Sequence, residues 1–381
     1  MTMRRLRVLL VVVLLAAVTA CGERGGPPAA APTGPGWGRL PDVPLSQRGD
    51  PVVAWTGAKV LVVGGETGTT CPPLADCQQP NESAADGAAL DPGTGRWSPI
   101  ADAPLPIPAS SPSAFVSGRL FVRADATLLS YDVDADRWDR LPRRVSPWYD
   151  LVADGNRLIL VSGSDEGSVR PDLAYDVTED AWARLPEDPI GAAFDRGMVA
   201  TDRGLLLLAK ELVANPGGGD RPSIVLAALL DRTTGGWERL PDSDQLGGGH
   251  WAAFGDRVVD ASTGSIDGGG PEPGDYGRDV PLGGVLDLAT KTWSLLPDPP
   301  RERDRGWVVD AAGPRLVAAG GWIYDDSAAT WATIPRPPDG PFHPGPAAWA
   351  GDRLVVVTGS RDGQDYDEMR DMRVWTWSPA A

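Results

Sequence analysis

The sequence predicts an all-β protein: a seven-bladed β-propeller of four-stranded antiparallel blades, closed by an N-terminal strand. Three observations carry that expectation. An Asp followed six residues later by a Trp recurs six times, as Asp91/Trp97, Asp132/Trp138, Asp176/Trp182, Asp231/Trp237, Asp287/Trp293 and Asp325/Trp331. Seven strongly β-prone runs, each opening on a basic residue, alternate with these units: Lys59, Arg119, Arg157, Arg203, Arg257, Arg315 and Arg353 begin them. Gly 47 and Pro 38 interrupt almost every window long enough for an amphipathic helix, which suits many short strands joined by turns.

The first segment stands apart from the fold. Arg4, Arg5 and Arg7 precede the apolar run Val8 to Ala20, which is shorter than the roughly 20 residues a helix needs to span a bilayer and reads as an export signal over residues 1–20. It ends in Val18-Thr19-Ala20-Cys21, which resembles the lipobox of bacterial lipoprotein signal peptides. That resemblance implies lipidation of Cys21 and a chain held at the membrane surface by acyl groups, in the extracytoplasmic cell envelope. Residues 21–36, rich in Gly, Pro and Ala with no apolar periodicity, read as a disordered tether, and residues 37–381 as the propeller.

Each repeat has two halves. In the first, a short apolar strand such as Pro51-Val-Val-Ala-Trp55 meets a run such as Lys59-Val-Leu-Val-Val-Gly-Gly65. In the second, a strand ending in Asp turns through residues such as Pro92-Gly-Thr-Gly-Arg96 into a Trp strand, followed by a Leu-Pro or Ile-Pro step. Two hairpins make four strands with both faces apolar, and radial stacking of such sheets buries those faces and protects their edges. One Asp per blade reads as a turn cap accepting backbone N–H groups rather than as a catalyst. Seven first halves need seven Trp strands. The last unit stops at Met372-Arg-Val-Trp-Thr-Trp377, in its third strand. Trp37-Gly-Arg-Leu-Pro41 matches Trp138-Asp-Arg-Leu-Pro142 in type and supplies the missing fourth, closing the ring against the C-terminal strand.

The turn, the apolar strand ending in Gly64-Gly65 or Gly320-Gly321, the strand ending in Tyr-Asp or Leu-Asp, and the Trp six residues on resemble the kelch repeat of the galactose oxidase and kelch-like superfamily. The resemblance spans Trp37 to Trp377, and it implies the propeller fold. The double glycine is kept at only two of the repeats, Ser162-Gly163 and Thr358-Gly359 standing in elsewhere. Some relatives are enzymes. The copper centre of galactose oxidase needs two Tyr, two His and a Cys cross-linked to a Tyr. Here there are two His in all, and Cys71 and Cys77 share one loop, where they read as a disulfide in an oxidising compartment. No cofactor and no metal site is expected. The acidic stretch Asp362 to Asp371 reads as a solvated loop that lacks EF-hand spacing.

Formal net charge is −17, and about −20 once the three leader arginines are set aside, which argues against nucleic acid and against adsorption on anionic lipid. In this strand order the loops before the first strand and after the second share one face. That face keeps the long insertions Glu66 to Gly87, Glu211 to Pro222, Thr263 to Pro281 and Gly359 to Asp371, where binding normally sits. The approaches to the first strands carry Arg48, Trp148, Tyr149, Arg196, His250 beside Trp251, Arg305 and His343, residue types suited to a carboxylate, a glycan or a peptide. Each equally suits a turn cap or a contact between blades. The expected function is a monomeric, membrane-tethered binding module for an envelope protein, a peptide or a glycan. The alternative is a propeller hydrolase acting on an acidic sugar, with Arg48, Arg196 and Arg305 around the carboxylate. No Ser-His-Asp set, P-loop or zinc motif is present.

Overall fold

A computed structural model of the chain describes residues 36–67, 82–163, 170–213, 222–247, 249, 251–262, 280–300, 306–338, 340, 344–357 and 372–379. The described residues form strands, turns and loops, arranged as seven four-stranded antiparallel sheets. After β1 (Gly36–Leu40), blade 1 is β2 (Val52–Trp55), β3 (Val60–Val63), β4 (Gly87–Asp91) and β5 (Arg96–Ile100). Blade 2 is β6 (Ser113–Val116), β7 (Arg119–Ala124), β8 (Thr127–Asp132) and β9 (Arg137–Arg144). Blade 3 is β10 (Tyr149–Asp154), β11 (Arg157–Ser162), β12 (Leu173–Asp176) and β13 (Ala181–Arg184). Blade 4 is β14 (Phe194–Ala200), β15 (Gly204–Lys210), β16 (Val225–Asp231) and β17 (Trp237–Arg239). Blade 5 is β18 (Trp251–Phe254), β19 (Arg257–Asp260), β20 (Gly284–Asp287) and β21 (Thr292–Leu295). Blade 6 is β22 (Ala311–Ala312), β23 (Leu316–Ala319), β24 (Trp322–Asp325) and β25 (Thr330–Thr333). Blade 7 is β26 (Ala347–Ala350), β27 (Arg353–Val357), β28 (Val374–Ser378) and β1. The expected closure is present: Trp37 pairs with Trp377 and Leu40 with Val374.

The two-residue period explains why such sheets stack. In β3 all four residues are buried, yet Val60 and Val62 pack toward blade 7 while Leu61 and Val63 pack toward blade 2. The buried apolar residues form seven clusters, each straddling one seam between consecutive blades. The first strands line the centre, where β2 touches both β6 and β26.

The repeated Asp residues are turn caps. Asp91 Oδ1 accepts the N–H groups of Gly93 (2.9 Å) and Thr94 (3.1 Å), and Asp176, Asp231, Asp287 and Asp325 take the same two positions of their own turns. The N–H of Thr94, Glu179, Thr234 or Thr290 does most to hold the Asp91, Asp176, Asp231 or Asp287 carboxyl below the ordinary Asp pKa. The repeated Trp and Pro act together. The indole N–H of Trp97 donates to the carbonyl of Pro41, that of Trp237 to Pro186, that of Trp293 to Pro241, that of Trp331 to Pro297 and that of Trp37 to Pro335. Trp138 donates to Ala101, which fills the Pro position of blade 1. Each blade thus grips the chain leaving the blade before it. Trp182 is the exception: β9 runs on to Arg144 through a bulge that absorbs Pro142, and Arg143 stacks on the Trp182 ring at 5.1 Å instead.

The two double glycines share one backbone shape. Gly64 and Gly65 have φ of 66° and 93°, and Gly320 and Gly321 have 58° and 92°. A Cβ on Gly64 would meet Ile107, and one on Gly65 would lie 2.7 Å from the Gly49 carbonyl, so side chains are excluded by conformation and by space.

Candidate functional site

The strand order gives the ring two unlike faces. Connections from first to second strand and from third to fourth are short turns of two to five residues, such as 117–118 and 133–136. Connections from second to third strand, and from one blade to the next, all lie on the other face, and every long insertion is among them. Among the described residues, three of the four exposed large apolar side chains, Trp148, Leu212 and Val308, also lie there. Among the sequence-selected residues, His250, Arg305, His343, Cys71, Cys77, Cys21, the leader and the tether up to residue 35, and the acidic stretch 362–371 lie outside the described residues.

The two described arginines are engaged inside the fold. Arg48 is buried and meets Asp86 with both terminal nitrogens, at 2.6 Å and 3.1 Å, and also donates to the carbonyls of Ser46 and Gly64. Its hydrogen bond is the main reason the Asp86 pKa lies below the ordinary value. Arg196 is buried at the seam of blades 3 and 4, where it donates to Asp172 (3.3 Å), Asp188 (3.0 Å) and the carbonyls of Ser162 and Gly191. One guanidinium cannot neutralise two carboxylates. Burial raises Asp172 to about 6 against the pull of the Ser162 N–H and Arg196. Burial works on Asp188 in the same sense, but Arg196 and the N–H groups of Gly191 and Ile190 bring it below the ordinary value. Tyr149 is buried and its hydroxyl donates to the Pro171 carbonyl at 2.8 Å, whereas Trp148 is 56% exposed. Arg48 and Arg196 approach different blades and do not converge on a common point in their hydrogen bonding.

Beside these residues the loop face opens into a cavity of about 310 Å³ at the mouth of blades 3 to 5, lined among others by Asp150, Asp195, Arg196, Lys210, Gly247 and Trp251. Two of its carboxylates come from residues adjacent to the sequence-selected ones. Along β10 the pleat alternates, so Tyr149 turns inward and Asp150 toward the opening. In β14 a bulge places Asp195 and Arg196 opposite the single residue Ala209. Asp195 takes a left-handed φ of 47° there, and the bulge aims Arg196 into the seam while Asp195 stays exposed. Asp150 is exposed at the opening; the bulk of neighbouring groups still raises its carboxyl pKa, opposed by Arg123. Arg123 reaches Asp150 only through space, its own hydrogen bonds going to the carbonyls of Tyr149 and Asp125. Asp150 accepts no hydrogen bond among the described residues.

A second depression, of about 530 Å³, lies between the outer strands of blades 3 and 4 near the short turns and includes Trp182, Asp176 and Arg232. Two of its charges are taken up within the fold, Asp176 by Asn156 and Arg232 by Asp154. Among the described residues no group of three or more His, Cys, Asp or Glu is placed to hold a metal ion, and no helix is long and apolar enough to cross a membrane.

No protein-family model and no curated protein sequence matches the chain. A solved structure, that of YjhT, is similar with a TM-score of 0.44 at 12% identity, covering 88% of this chain and 95% of that one, a likeness too distant to bear on function. What stands on the chain's own strands is a seven-bladed β-propeller.

Proposed function

We propose that the chain is an exported, lipid-anchored, kelch-like propeller whose loop face binds a glycan. The carrying observation is the cavity at the mouth of blades 3 to 5. It sets carboxylates (Asp150, Asp195), an ammonium (Lys210), glycine backbone and an indole (Trp251) around one space. Sugar hydroxyls both donate and accept hydrogen bonds, and the C–H face of a pyranose packs on an indole, so such a lining complements a glycan better than an extended apolar peptide. The leader ending at Cys21 supports the envelope address, and the net charge of −17 supports a ligand other than nucleic acid. A hydrolase of acidic sugars draws no support from Arg48 and Arg196, whose guanidinium groups are held by Asp86, Asp172 and Asp188.

The test is a glycan array probed with wild type, Trp251→Ala and Trp148→Ala, each checked for an unchanged melting transition. Binding of a defined glycan that is lost in Trp251→Ala supports the reading. Binding that persists in both variants moves the site elsewhere, and no bound glycan at all overturns it. Fatty-acid labelling of wild type but not of Cys21→Ser tests the anchor.

A further inference from the structure

Arginine pairing singles out one stretch of the ring. Arg48, Arg157, Arg203 and Arg257, like most described arginines, each meet a carboxylate. Arg143, Arg170 and Arg184 meet neither a carboxylate nor a carbonyl with their side chains among the described residues. All three stand where the seam between blades 2 and 3 reaches the loop face. Near the end of β9, Arg143 falls between Leu141 and Val145, both packed in that seam, and its guanidinium lies 5.1 Å from the Trp182 ring. Arg184 follows Trp182 by two residues on β13, so it takes the same side of the sheet, and it pairs with Leu173 of the same seam. Arg170 precedes Pro171, whose carbonyl receives the Tyr149 hydroxyl at 2.8 Å, and its Nη1 is buried without a hydrogen-bond partner. Burial and Asp172 raise the pKa of that hydroxyl while Arg170, Arg143 and Arg184 all pull it down, which fits three charges gathered about one point. Asp172 does not serve them, because its carboxylate turns to Arg196 in the next seam.

Such a cluster is out of keeping with a chain of net charge −17, and a guanidinium nitrogen buried without an acceptor costs stability. In this fold one guanidinium is enough for one carboxylate, as at Arg48 and Asp86. Three together match an anion with more charge and more acceptor oxygens. A phosphate monoester carries about −1.5 to −2 charges at neutral pH on three terminal oxygens, and the planar guanidinium meets such oxygens with paired N–H groups. From this juxtaposition we infer that Arg143, Arg170 and Arg184 form a binding site for a phosphate monoester group, at the loop-face end of the seam between blades 2 and 3. Arg170 holds the phosphate from within the seam, and Arg143 and Arg184, both exposed, close on it from the two blades. Stacking on Trp182 occupies the face of the Arg143 guanidinium and leaves its N–H edge for the ligand. The site uses a different seam from the cavity of blades 3 to 5 and does not rest on the glycan reading.

Ligand-observed NMR on the full chain reads this directly, with glucose 6-phosphate, glucose 6-sulfate, glucose and acetate as probes. The expected result is saturable binding of glucose 6-phosphate, at least about tenfold tighter than of acetate or of the 6-sulfate, which has the same shape and one charge fewer, and no binding of glucose at this site. Arg170→Gln and Arg184→Gln, each checked for an unchanged melting transition, should weaken glucose 6-phosphate at least about tenfold. Arg96→Gln, which removes an exposed arginine from the turn end of β5 in blade 1, should leave it unchanged. Acetate or the 6-sulfate binding as tightly as glucose 6-phosphate overturns the choice of a phosphate monoester. Absence of saturable binding overturns the site, as does binding that survives in a well-folded Arg170→Gln/Arg184→Gln double variant or that falls equally in Arg96→Gln. The glycan reading is untouched by any of these outcomes, since its own test turns on Trp251.

Discussion

Loss of the closing strand should weaken the whole ring rather than one blade. Leu40 is 1% exposed and packs with Val60, Val62 and Leu90 of blade 1 and with Val355, Val357 and Val374 of blade 7, so it seals a seam that β1 alone completes. Trp37 stands edge-on to Trp307 with centroids 5.3 Å apart, and the Arg39 guanidinium lies 4.9 Å from the Trp375 ring. Leu40→Ala should cost about 3 kcal/mol, in the middle of the range for buried Leu truncations, with the denaturant slope unchanged. Deleting residues 36–41 goes further. It frees the edge of β28, removes the five-residue ladder with β1, and lets blades 7 and 1 part. The deletant should therefore unfold with a lower slope and a calorimetric enthalpy exceeding the van't Hoff value. Guanidinium titration followed by fluorescence, with scanning calorimetry, measures both. A deletant with wild-type midpoint, slope and enthalpy ratio, or a Leu40→Ala cost below about 0.5 kcal/mol, would refute the closure argument.

Three further outcomes are expected. Trp97→Phe removes the indole N–H that meets Pro41 and should cost about 1 kcal/mol more than Trp182→Phe, whose ring has no such carbonyl; denaturant midpoints of the two variants compare them. Arg196→Ala strands Asp172 and Asp188 in the seam and should lower stability by about 3–5 kcal/mol in thermal melts, so a loss of ligand binding in that variant would report on folding. Asp172 titrates near 6 in the native state against 3.8 when unfolded, so the native state holds the proton more tightly between those values. Its contribution to stability is present below about pH 4, is lost as pH rises to about 6, and is flat beyond, a span of at most about 3 kcal/mol. Asp172→Asn lacks this slope, so its stability relative to wild type should climb from pH 4 to pH 6.5, and a constant difference would show that the seam does not carry the titration.

The architecture was legible because the repeat is dictated by local chemistry. A four-residue hairpin turn wants an acceptor at Asp91 or Asp231 and a left-handed residue four positions on, and Gly95 and Gly235 supply it with φ of 66° and 67°. Seven β-prone runs against six Asp–Trp units leave Trp37 as the one strand able to complete blade 7. The lining of the candidate cavity was legible only to within one residue. Tyr149 and Arg196 lie in the stretches that border the candidate cavity, but strand alternation turns Tyr149 inward beside Asp150, and a bulge aims Arg196 into the seam beside Asp195. For Asp150 the period of two was enough to give that direction. For Asp195 it was not, because the bulge between Phe194 and Gly197 shifts the phase and leaves no sequence mark beyond the glycine. The role of the Pro after each Trp strand was hidden for another reason: its partner is the indole of the next blade, 34 to 56 residues further along in blades 1, 4, 5 and 6.

The pairing of Gly36 with Ser378 also sets a direction. β28 descends from the loop face and ends among the short turns, so antiparallel β1 starts there and climbs. Both ends of the ring therefore leave from the side opposite the cavity. Were the chain anchored at Cys21 as proposed, it would hang from its plain side like a lamp from its cord, with the Asp150 cavity turned outward from the bilayer. The stretch between Cys21 and Gly36 reaches at most about 50 Å, which sets how far from the lipid that opening can stand.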